Sequence, residues 1–392
     1  MICYFTNIWT HYINAIGREL AAVFGEDNFR IVLTRPVLGQ KAVDAARAKM
    51  NWGMRPPDIK WLVQPPESQE QLDNGEYAEL MRTCEVAMVG ALQYSKPLYE
   101  EFLARLNSDK ITFVMNERFF KNPLTIRDFV SPRFYARCLR WRWQFWHKNV
   151  YYMPAAYHAC DDAKFLHLPK GKAWSWAYFP EVSDAPLEKS KSDKLRICWA
   201  GRMLKCKRVE YIVQALALLP KDKLDQCQVT IVGEGESKEM VVRLAKETGV
   251  DRVIDFKPLM TTEEVVSMMK ENDVYVFPSD RGEGWGIAPQ EAMDRCCVPI
   301  GNEQAGVTRK CIKDGVCGFV FEDGDIGRIA EKLEWLIDHP EERRAMGLAA
   351  WKEMQRWSPR EGARRFAILL DAVKSGDFSK VPQDGGLCSQ VW

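Results

Sequence analysis

The stretch 273–297 constrains the fold of this chain more than any other part of the sequence. Its β-branched and aromatic run, Val274–Phe277, is typical of a buried strand. The residues from Pro289 onward favour a helix, because proline suits a first helical position. Between them lies a loop whose three glycines let the backbone approach a ligand: Gly282, Gly284 and Gly286. A strand, a glycine loop and a helix start present free N–H groups and the positive end of a helix dipole, which predicts an anion site.

Two carboxylates flank this predicted site, Glu283 in the loop and Glu291 in the first helical turn. A carboxylate in direct contact with a phosphate would repel it. We therefore expect both acids to accept hydrogen bonds from hydroxyl groups at the two ends of a phosphorylated ligand, and a nucleotide-sugar has that layout. The alternative interpretation is that one acid only favours the helix start and the other is a solvated loop residue.

Chain length and pattern predict two α/β domains. A chain of 392 residues exceeds the size at which one hydrophobic core is expected. Short apolar runs that suit strands alternate with helical stretches, which is typical of parallel, doubly wound sheets. The polar segment 183–194 contains no strand pattern and is the predicted linker between the domains.

Charge and composition exclude several classes of protein. The net charge of +1 argues against a whole-chain nucleic-acid binder, so no nucleic-acid partner is expected. No apolar stretch reaches about 18 residues and the first residues lack a basic region with a cleavage site, so we expect a cytoplasmic protein. The 12 cysteines are scattered without a Cys-x-x-Cys pair, which predicts reduced thiols and no metal site.

The segment 133–148 differs from the rest of the chain because it is both basic and aromatic. On a helical wheel of about 100° per residue its basic side chains gather on one arc, and aromatic side chains cover much of the remainder. Such a helix suits the surface of an anionic membrane and predicts peripheral attachment to the inner face of the plasma membrane. The alternative is a helix packed on the domain with its arginines in solvent. The arc contains Arg133, Arg137, Arg140, Gln144 and Lys148.

The sequence from Glu283 through Trp285 to Glu291, preceded by a strand ending in Pro-Ser and followed by Ala-Met, resembles a known motif. It is similar to the EX7E motif of retaining glycosyltransferases of the GT-B fold, in particular glycosyltransferase family 4 of the bacterial surface-polysaccharide type. The resemblance is strong over 200–360 and covers the first 190 residues only in pattern. It implies an α/β protein of two Rossmann-like doubly wound domains that face a central cleft.

The resemblance also implies a domain layout. The carboxyl-terminal helix is expected to return to the amino-terminal domain, and the polar end of the chain is expected to be frayed. The expected parts are an acceptor-side domain at 1–182, the linker at 183–194, a nucleotide-sugar-binding domain at 195–358, the returning helix at 359–375 and a tail at 376–392.

Roles for individual residues follow from the same resemblance. Arg202 and Lys207 correspond to the pair that grips the donor diphosphate, although the glycine that usually follows the lysine is Arg208 here. Glu283 is expected to bind the transferred sugar. Glu117, after a predicted strand, is a candidate for orienting or deprotonating an acceptor hydroxyl, with a plain surface Glu/Arg pair as the alternative. The expected donor-binding residues are Glu291, Gly284, Trp285, Gly286, Ile287, Gly233, Lys257 and Pro258.

The activity implied is a retaining transfer of sugar from a nucleoside diphosphate to a hydroxyl acceptor, without a required cofactor or metal. A polyprenyl-linked or other glycan acceptor in cell-surface glycan synthesis fits both the family type and the basic aromatic helix. Two alternatives remain open from the sequence. They are a nucleotide-sugar epimerase of the same fold, which needs no acceptor, and a non-catalytic scaffold that binds a membrane or a protein partner through 133–148.

Overall fold

The computed structural model describes residues 1–36, 56–92, 95–117, 120 and 126–391. The chain divides into two compact units. The first unit combines Met1–Glu181 with the residues from Ser358 onward, and the second unit is Val182–Trp357. Each unit has a core of its own around a six-stranded sheet.

The sheet of the first unit is parallel throughout, with the strand order β3-β2-β1-β4-β5-β6. Its central strands are buried on both faces, which explains their unbroken apolar sequences. The strands are β1 (Ile2–Thr6), β2 (Phe29–Leu33), β3 (Leu62–Val63), β4 (Val86–Val89), β5 (Ile111–Asn116) and β6 (Val150–Pro154).

The helices of the first unit cover this sheet. Helix α1 (His11–Phe24) begins where the Thr10 side chain accepts a hydrogen bond from the backbone N–H of Ile13, and it packs against the last helix of the chain, α16 (Pro359–Ser375). Described helices of this unit are α1 (His11–Phe24), α2 (Gln69–Asp73), α3 (Glu76–Thr83), α4 (Lys96–Leu106), α5 (Ile126–Phe129), α6 (Pro132–His147), α7 (Tyr157–Phe165) and α16 (Pro359–Ser375).

The second unit repeats the architecture, with the strand order β12-β11-β10-β7-β8-β9, again all parallel. Its strands are β7 (Leu195–Ala200), β8 (Cys227–Val232), β9 (Ile254–Lys257), β10 (Val274–Phe277), β11 (Val298–Asn302) and β12 (Phe319–Phe321). Its helices are α8 (Glu210–Leu218), α9 (Lys221–Leu224), α10 (Lys238–Thr248), α11 (Thr262–Glu271), α12 (Ala288–Asp294), α13 (Gly306–Cys311), α14 (Ile326–Asp338) and α15 (Pro340–Arg356).

Both sheets therefore have the strand order of a Rossmann fold, counted from the first strand of each unit. In such sheets the order reverses next to the first strand, and ligands bind beyond the carboxyl ends of the strands at that point. The reversal lies between β1 and β4 in the first unit and between β7 and β10 in the second. The predicted α/β fold of two doubly wound domains is confirmed. None of the described helices is both long and apolar enough to cross a membrane.

The expectation of a frayed carboxyl-terminal tail is wrong. The backbone N–H of Ser175 donates to the carbonyl of Ser389 at 2.8 Å, and the N–H of Cys388 donates back to Ser175 at 2.7 Å. The Phe378 ring stacks on Trp174, with ring centroids 5.3 Å apart. The polar composition of the segment hid these contacts, because its few apolar side chains are the ones that the fold buries.

An ion pair holds the same tail to α16. The guanidinium of Arg365, whose side chain is 7% exposed, makes two hydrogen bonds to the Asp384 carboxylate, at 2.7 and 2.8 Å. Two parallel N–H···O bonds of this kind are among the stronger polar contacts in proteins. The tail is therefore a packed part of the first unit.

We predict that Asp384→Ala lowers the free energy of unfolding by about 2 kcal/mol, because it leaves a nearly buried guanidinium without its bidentate partner. Calorimetric unfolding should show a lower midpoint temperature. Lys380→Ala, which removes an exposed side chain of the same tail, should leave the midpoint unchanged. Equal midpoints for both variants would mean that the tail does not stabilise the unit.

Candidate active site

Three loops of the second unit meet at the carboxyl edge of its sheet. They follow β7, β8 and β10, which are neighbours around the point where the strand order reverses. Gly233, after β8, lies so close to the β7 loop that a side chain there would place its Cβ 1.9 Å from the carbonyl oxygen of Gly201. Gly235 is similarly constrained, because a Cβ at this position would lie 2.6 Å from the carbonyl oxygen of Met203. Both glycines have positive φ, so they are required for contact between the two loops.

The loops after β7 and β10 are joined through Asp280. Its backbone N–H donates to the carbonyl of Cys206 at 2.8 Å, and its carboxylate accepts a hydrogen bond from Arg208 Nε at 2.9 Å. The second carboxylate oxygen accepts from the backbone N–H of Gly282 at 2.7 Å. One side chain thus fixes the start of the glycine loop and ties it to the lysine-bearing loop.

Arg208 adopts a left-handed backbone conformation, with φ of 49° and ψ of 39°. This explains why glycine is usual at the position in the family that the sequence resembles, since only glycine enters this region without strain. The ion pair with Asp280 offsets part of that strain. Arg208 therefore departs from the family pattern in residue type but adopts the same kind of turn.

The structure brings Lys207 and Glu283 together as an ion pair between the two loops. Their side chains are only 19% and 18% exposed, so the pair is shielded from solvent more than an ordinary surface pair. These are two of the four side chains to which the sequence assigned catalytic roles. The other two are Arg202, half-buried in the same loop as Lys207, and Glu117, which lies in the first unit.

The glycine loop after β10 is shaped by packing against the strand that precedes it. Gly286 has a φ of +80°, and a Cβ on it would meet the Phe277 ring at 2.2 Å. The indole of Trp285 is 1% exposed and donates to Oε1 of Gln290 at 2.7 Å. Trp285 can therefore offer a ligand only its backbone. Among the hydrogen bonds of the described residues, none uses the backbone N–H of Gly284, Gly286 or Ile287.

Glu291 lies half-buried in α12, where its N–H donates to the carbonyl of Ile287 at 3.3 Å. The Tyr275 hydroxyl, which is buried under the loop after β7, donates to the Ala200 carbonyl at 3.1 Å. Burial raises the pKa of Tyr275 well above its ordinary value, and the negative charges of Glu291 and Glu283 act in the same direction.

The remaining predicted donor residues lie on the β8 and β9 side. The backbone N–H of Gly233 donates to the carbonyl of Lys257 at 3.1 Å, which joins these two positions. The side chain of Lys257 is 41% exposed and pairs with Asp255 at 3.4 Å, and Pro258 is exposed. At these positions too, a ligand would find groups of fixed position in the backbone rather than in the side chains.

A cavity of about 540 Å³ lies in the first unit, at the carboxyl ends of β1, β4 and β5. Glu117 is the only charged residue that lines it within the described part of the chain. The Tyr178 hydroxyl donates to Glu117 at 2.7 Å, and burial followed by the Glu117 charge raises the pKa of Tyr178 well above its ordinary value. The Tyr12 ring meets Tyr178 edge to face, with ring centroids 5.1 Å apart. Glu117 is therefore held in a cavity wall by the Tyr178 hydroxyl, while the arginine of the alternative Glu/Arg pair, Arg118, lies outside the described residues.

Sequence reasoning missed Asp280 and Tyr178. Asp280 follows the strand-ending Pro-Ser and precedes the glycine loop, a position that could have marked it as a residue that fixes the loop. Tyr178 lies 61 positions from its partner, Glu117, and no local pattern connects the two. Within the described residues, no three His, Cys, Asp or Glu side chains are arranged to hold a metal ion.

The protein thus has two Rossmann-type α/β units. Folds of this class bind ligands at the point where the strand order reverses. Residues 184–353 match the family described as glycosyl transferases group 1. This segment makes up most of the second unit and contains the three loops described above. The second unit is therefore similar to the group 1 glycosyl transferases over the segment that carries the candidate site.

Individual relatives show the same similarity. The chain is 28% identical over 166 residues to an uncharacterized glycosyltransferase of Methanocaldococcus jannaschii, across 42% of this chain and 41% of the relative. It is 31% identical over 160 residues to the D-inositol 3-phosphate glycosyltransferase of Arthrobacter sp., across 40% of this chain and 38% of the relative. The similarity thus spans about two fifths of the length of these relatives.

Solved structures are similar over nearly the whole chain. HepE of Anabaena, in complex with UDP, has a TM-score of 0.67 at 12% identity, over 95% of this chain and 99% of that structure. WaaG, a glycosyltransferase involved in lipopolysaccharide biosynthesis, has a TM-score of 0.59 at 13% identity, over 96% and 99%. These likenesses confirm the GT-B fold.

We predict that two variants of the Arg208–Asp280 contact differ in their loss of stability. Arg208→Gly removes the ion pair but also the left-handed strain, so the free energy of unfolding should change by less than about 1 kcal/mol. Asp280→Ala removes the ion pair and the bond to Gly282 while the strain remains, and should cost about 1–2 kcal/mol. Urea unfolding measures both. A larger loss for Arg208→Gly than for Asp280→Ala would contradict the strain argument.

Proposed function

We propose that this protein is a retaining glycosyltransferase of family 4 that moves a sugar from a nucleoside diphosphate to a hydroxyl group of an acceptor. The observation that carries the proposal is the Lys207–Glu283 pair, held between the loops after β7 and β10. The HepE structures, named as complexes with UDP and with UDP-glucose, support a nucleotide-sugar as the donor.

In the proposed complex, Lys207 and Arg202 bind the diphosphate of the donor. A diphosphate carries more negative charge than one carboxylate, so it competes with Glu283 for the ammonium group. Glu283 then accepts a hydrogen bond from a hydroxyl of the transferred sugar, and the N–H groups of Gly284, Gly286 and Ile287 contribute further donors. Binding of the diphosphate thereby prepares the group that holds the sugar.

The rest of the donor is proposed to lie along the β8 and β9 loops. Glu291 accepts hydrogen bonds from the ribose hydroxyls, and the base contacts the backbone at Gly233, Lys257 and Pro258. In the transfer, the bond from the anomeric carbon to the diphosphate oxygen breaks, and a bond to the acceptor oxygen forms on the same face of the sugar. The acceptor proton passes to the departing phosphate oxygen, and Arg202 with Lys207 stabilises the growing charge. No cofactor or metal is required by this scheme.

The cavity of the first unit is the proposed acceptor site. Its wall offers a carboxylate, Glu117, oriented by the Tyr178 hydroxyl. The amide oxygen of Asn116 is already engaged by the Tyr152 hydroxyl at 2.6 Å, which turns its N–H₂ group into the available donor. A sugar hydroxyl both donates and accepts, so it can use both groups. We propose a polyprenyl-linked or other glycan acceptor in cell-surface glycan synthesis, met in the cytoplasm at the inner face of the plasma membrane.

A direct test is thermal unfolding of the protein with UDP-sugars and GDP-sugars. A donor present at about 100 times its Kd should stabilise the protein by about 2.7 kcal/mol. Incubation of the stabilising donor with and without candidate glycan acceptors then distinguishes transfer from epimerisation. Conversion of the donor sugar in the absence of an acceptor would show that the protein is an epimerase and contradict the proposed transferase activity.

We predict that Glu283→Gln reduces turnover by about 10²–10³-fold at saturating donor, because the neutral amide cannot stabilise the positive charge that develops on the transferred sugar in the transition state. Initial rates with a glycan acceptor measure the effect. Glu271→Gln, an exposed acid at the end of α11, is the matched control and should keep the full rate. A near-full rate for Glu283→Gln would exclude the role of Glu283.

For the acceptor site, we predict that Glu117→Gln raises the KM for the acceptor about tenfold, since hydrogen bonds to a charged partner exceed those to a neutral one by about 1–1.5 kcal/mol. The KM for the donor should not change. Tyr178→Phe, which frees Glu117 from its orienting hydroxyl, should act in the same direction. A change confined to the donor KM would contradict the assignment of Glu117 to the acceptor site.

A further inference from the structure

The first unit exposes a large apolar surface around α5 and α6. Of the 14 large hydrophobic side chains that are exposed within the described residues, seven lie between 126 and 146. Their exposed fractions range from 44% for Phe129 to 82% for Ile126. Clustering of this kind marks an interaction surface, whereas single exposed hydrophobic residues do not. We call these seven the α5–α6 patch: Ile126, Phe129, Val130, Tyr135, Leu139, Trp143 and Trp146.

Helix α6 has two different apolar faces. Phe134 and Phe145 are 4% and 0% exposed and pack in the core of the first unit. At about 100° per residue, Leu139 and Trp143 lie on the opposite side of the helix, and they are 65% and 48% exposed. The core therefore accounts for one face only. The outward face is apolar where a helix that lies against solvent would be polar.

The basic side chains flank this outward apolar face. Arg142 lies on one side of it, and Arg133, Arg137 and Arg140 lie on the other, all exposed. The sequence contains no acid between Ser131 and Lys148. Gln144, which the helical wheel grouped with the arginines, is 1% exposed and points into the unit. The exposed face is thus an apolar stripe between two cationic edges.

We propose that the α5–α6 patch docks the protein on an anionic lipid surface, with α6 parallel to the membrane plane. Tryptophan and tyrosine suit the boundary between headgroups and acyl chains, because one end of each ring system is apolar and the other is polar. The arginine stems extend along the apolar stripe while their guanidinium groups reach the phosphates. Charge complementarity selects lipid headgroups, because the four exposed arginines of α6 outnumber the single acid of α5, Asp128, which is half-buried.

Docking deepens the proposed function and rests on it for its purpose, because it brings the cavity of the same unit to a membrane that carries lipid-linked acceptors. The physical claim does not depend on catalysis. Binding to vesicles needs neither donor nor acceptor, so a failure of docking and a failure of the transferase assignment are seen in different assays.

The test is sedimentation of the full chain with vesicles of phosphatidylcholine, with and without phosphatidylglycerol. We expect binding to the anionic vesicles and little binding to the neutral ones. Leu139→Ser and Trp143→Ser should each weaken binding about tenfold, through loss of apolar burial. Arg140→Gln and Arg142→Gln should each weaken it about fivefold, and high salt should remove only this electrostatic part.

Matched controls come from the second unit. Leu218→Ser changes a leucine that is 59% exposed, and Arg243→Gln changes an arginine whose side chain is 71% exposed. Both should bind vesicles like the parent chain. All variants change exposed side chains, so unchanged thermal midpoints are expected and confirm that the fold is kept.

Equal binding to neutral and anionic vesicles, or unchanged binding of the patch variants, would overturn the proposal. Light scattering after size exclusion provides the other decisive outcome. A dimer that Leu139→Ser dissociates, combined with no binding to vesicles, would assign the patch to a second copy of the chain and also overturn it.

Discussion

The candidate site of the second unit depends on backbone contacts that only glycine permits. A Cβ on Gly233, in the loop after β8, would collide with the carbonyl of Gly201, and a Cβ on Gly282, in the loop after β10, would lie 2.7 Å from the Cβ of Cys206. Because β7 lies between β8 and β10, the loop after β7 is held from both sides. This double contact sets the distance between the loops that carry Lys207 and Glu283. Without it, the two charges would be separate surface groups rather than a shielded pair.

The sequence contained most of the information about the elements. Apolar runs such as Val274–Phe277 predicted their strands because parallel strands are buried on both faces. Helix α14 (Ile326–Asp338) followed from its apolar period, which matches the buried face of the helix. The order of the strands within each sheet did not follow from local pattern, because pairing is decided by crossovers between distant segments. Lys207 and Glu283 are 76 positions apart and were placed together only through the family resemblance.

Three features could not be predicted because long-range packing decides them. Arg208 enters a left-handed conformation that its side chain disfavours, and Asp280, far away in sequence, compensates. The tail looked disordered by composition, although Arg365 binds it through Asp384. The wheel of α6 separated basic from aromatic side chains, but only the packed structure shows which aromatic residues face outward. In each case the deciding partner lies outside any window in which sequence periodicity is read.

The first unit is built from two distant parts of the chain, with the entire second unit between them. The helix that packs against α1, and the tail that pairs with Ser175, leave the ribosome only after the whole second unit has been made. The second unit, which is continuous, can complete its core during synthesis, but the first cannot close its core until those later segments have emerged. Part of the apolar surface of the first sheet therefore stays uncovered while the second unit is synthesised. Chaperones in the cell have their main opportunity to bind the chain during that interval.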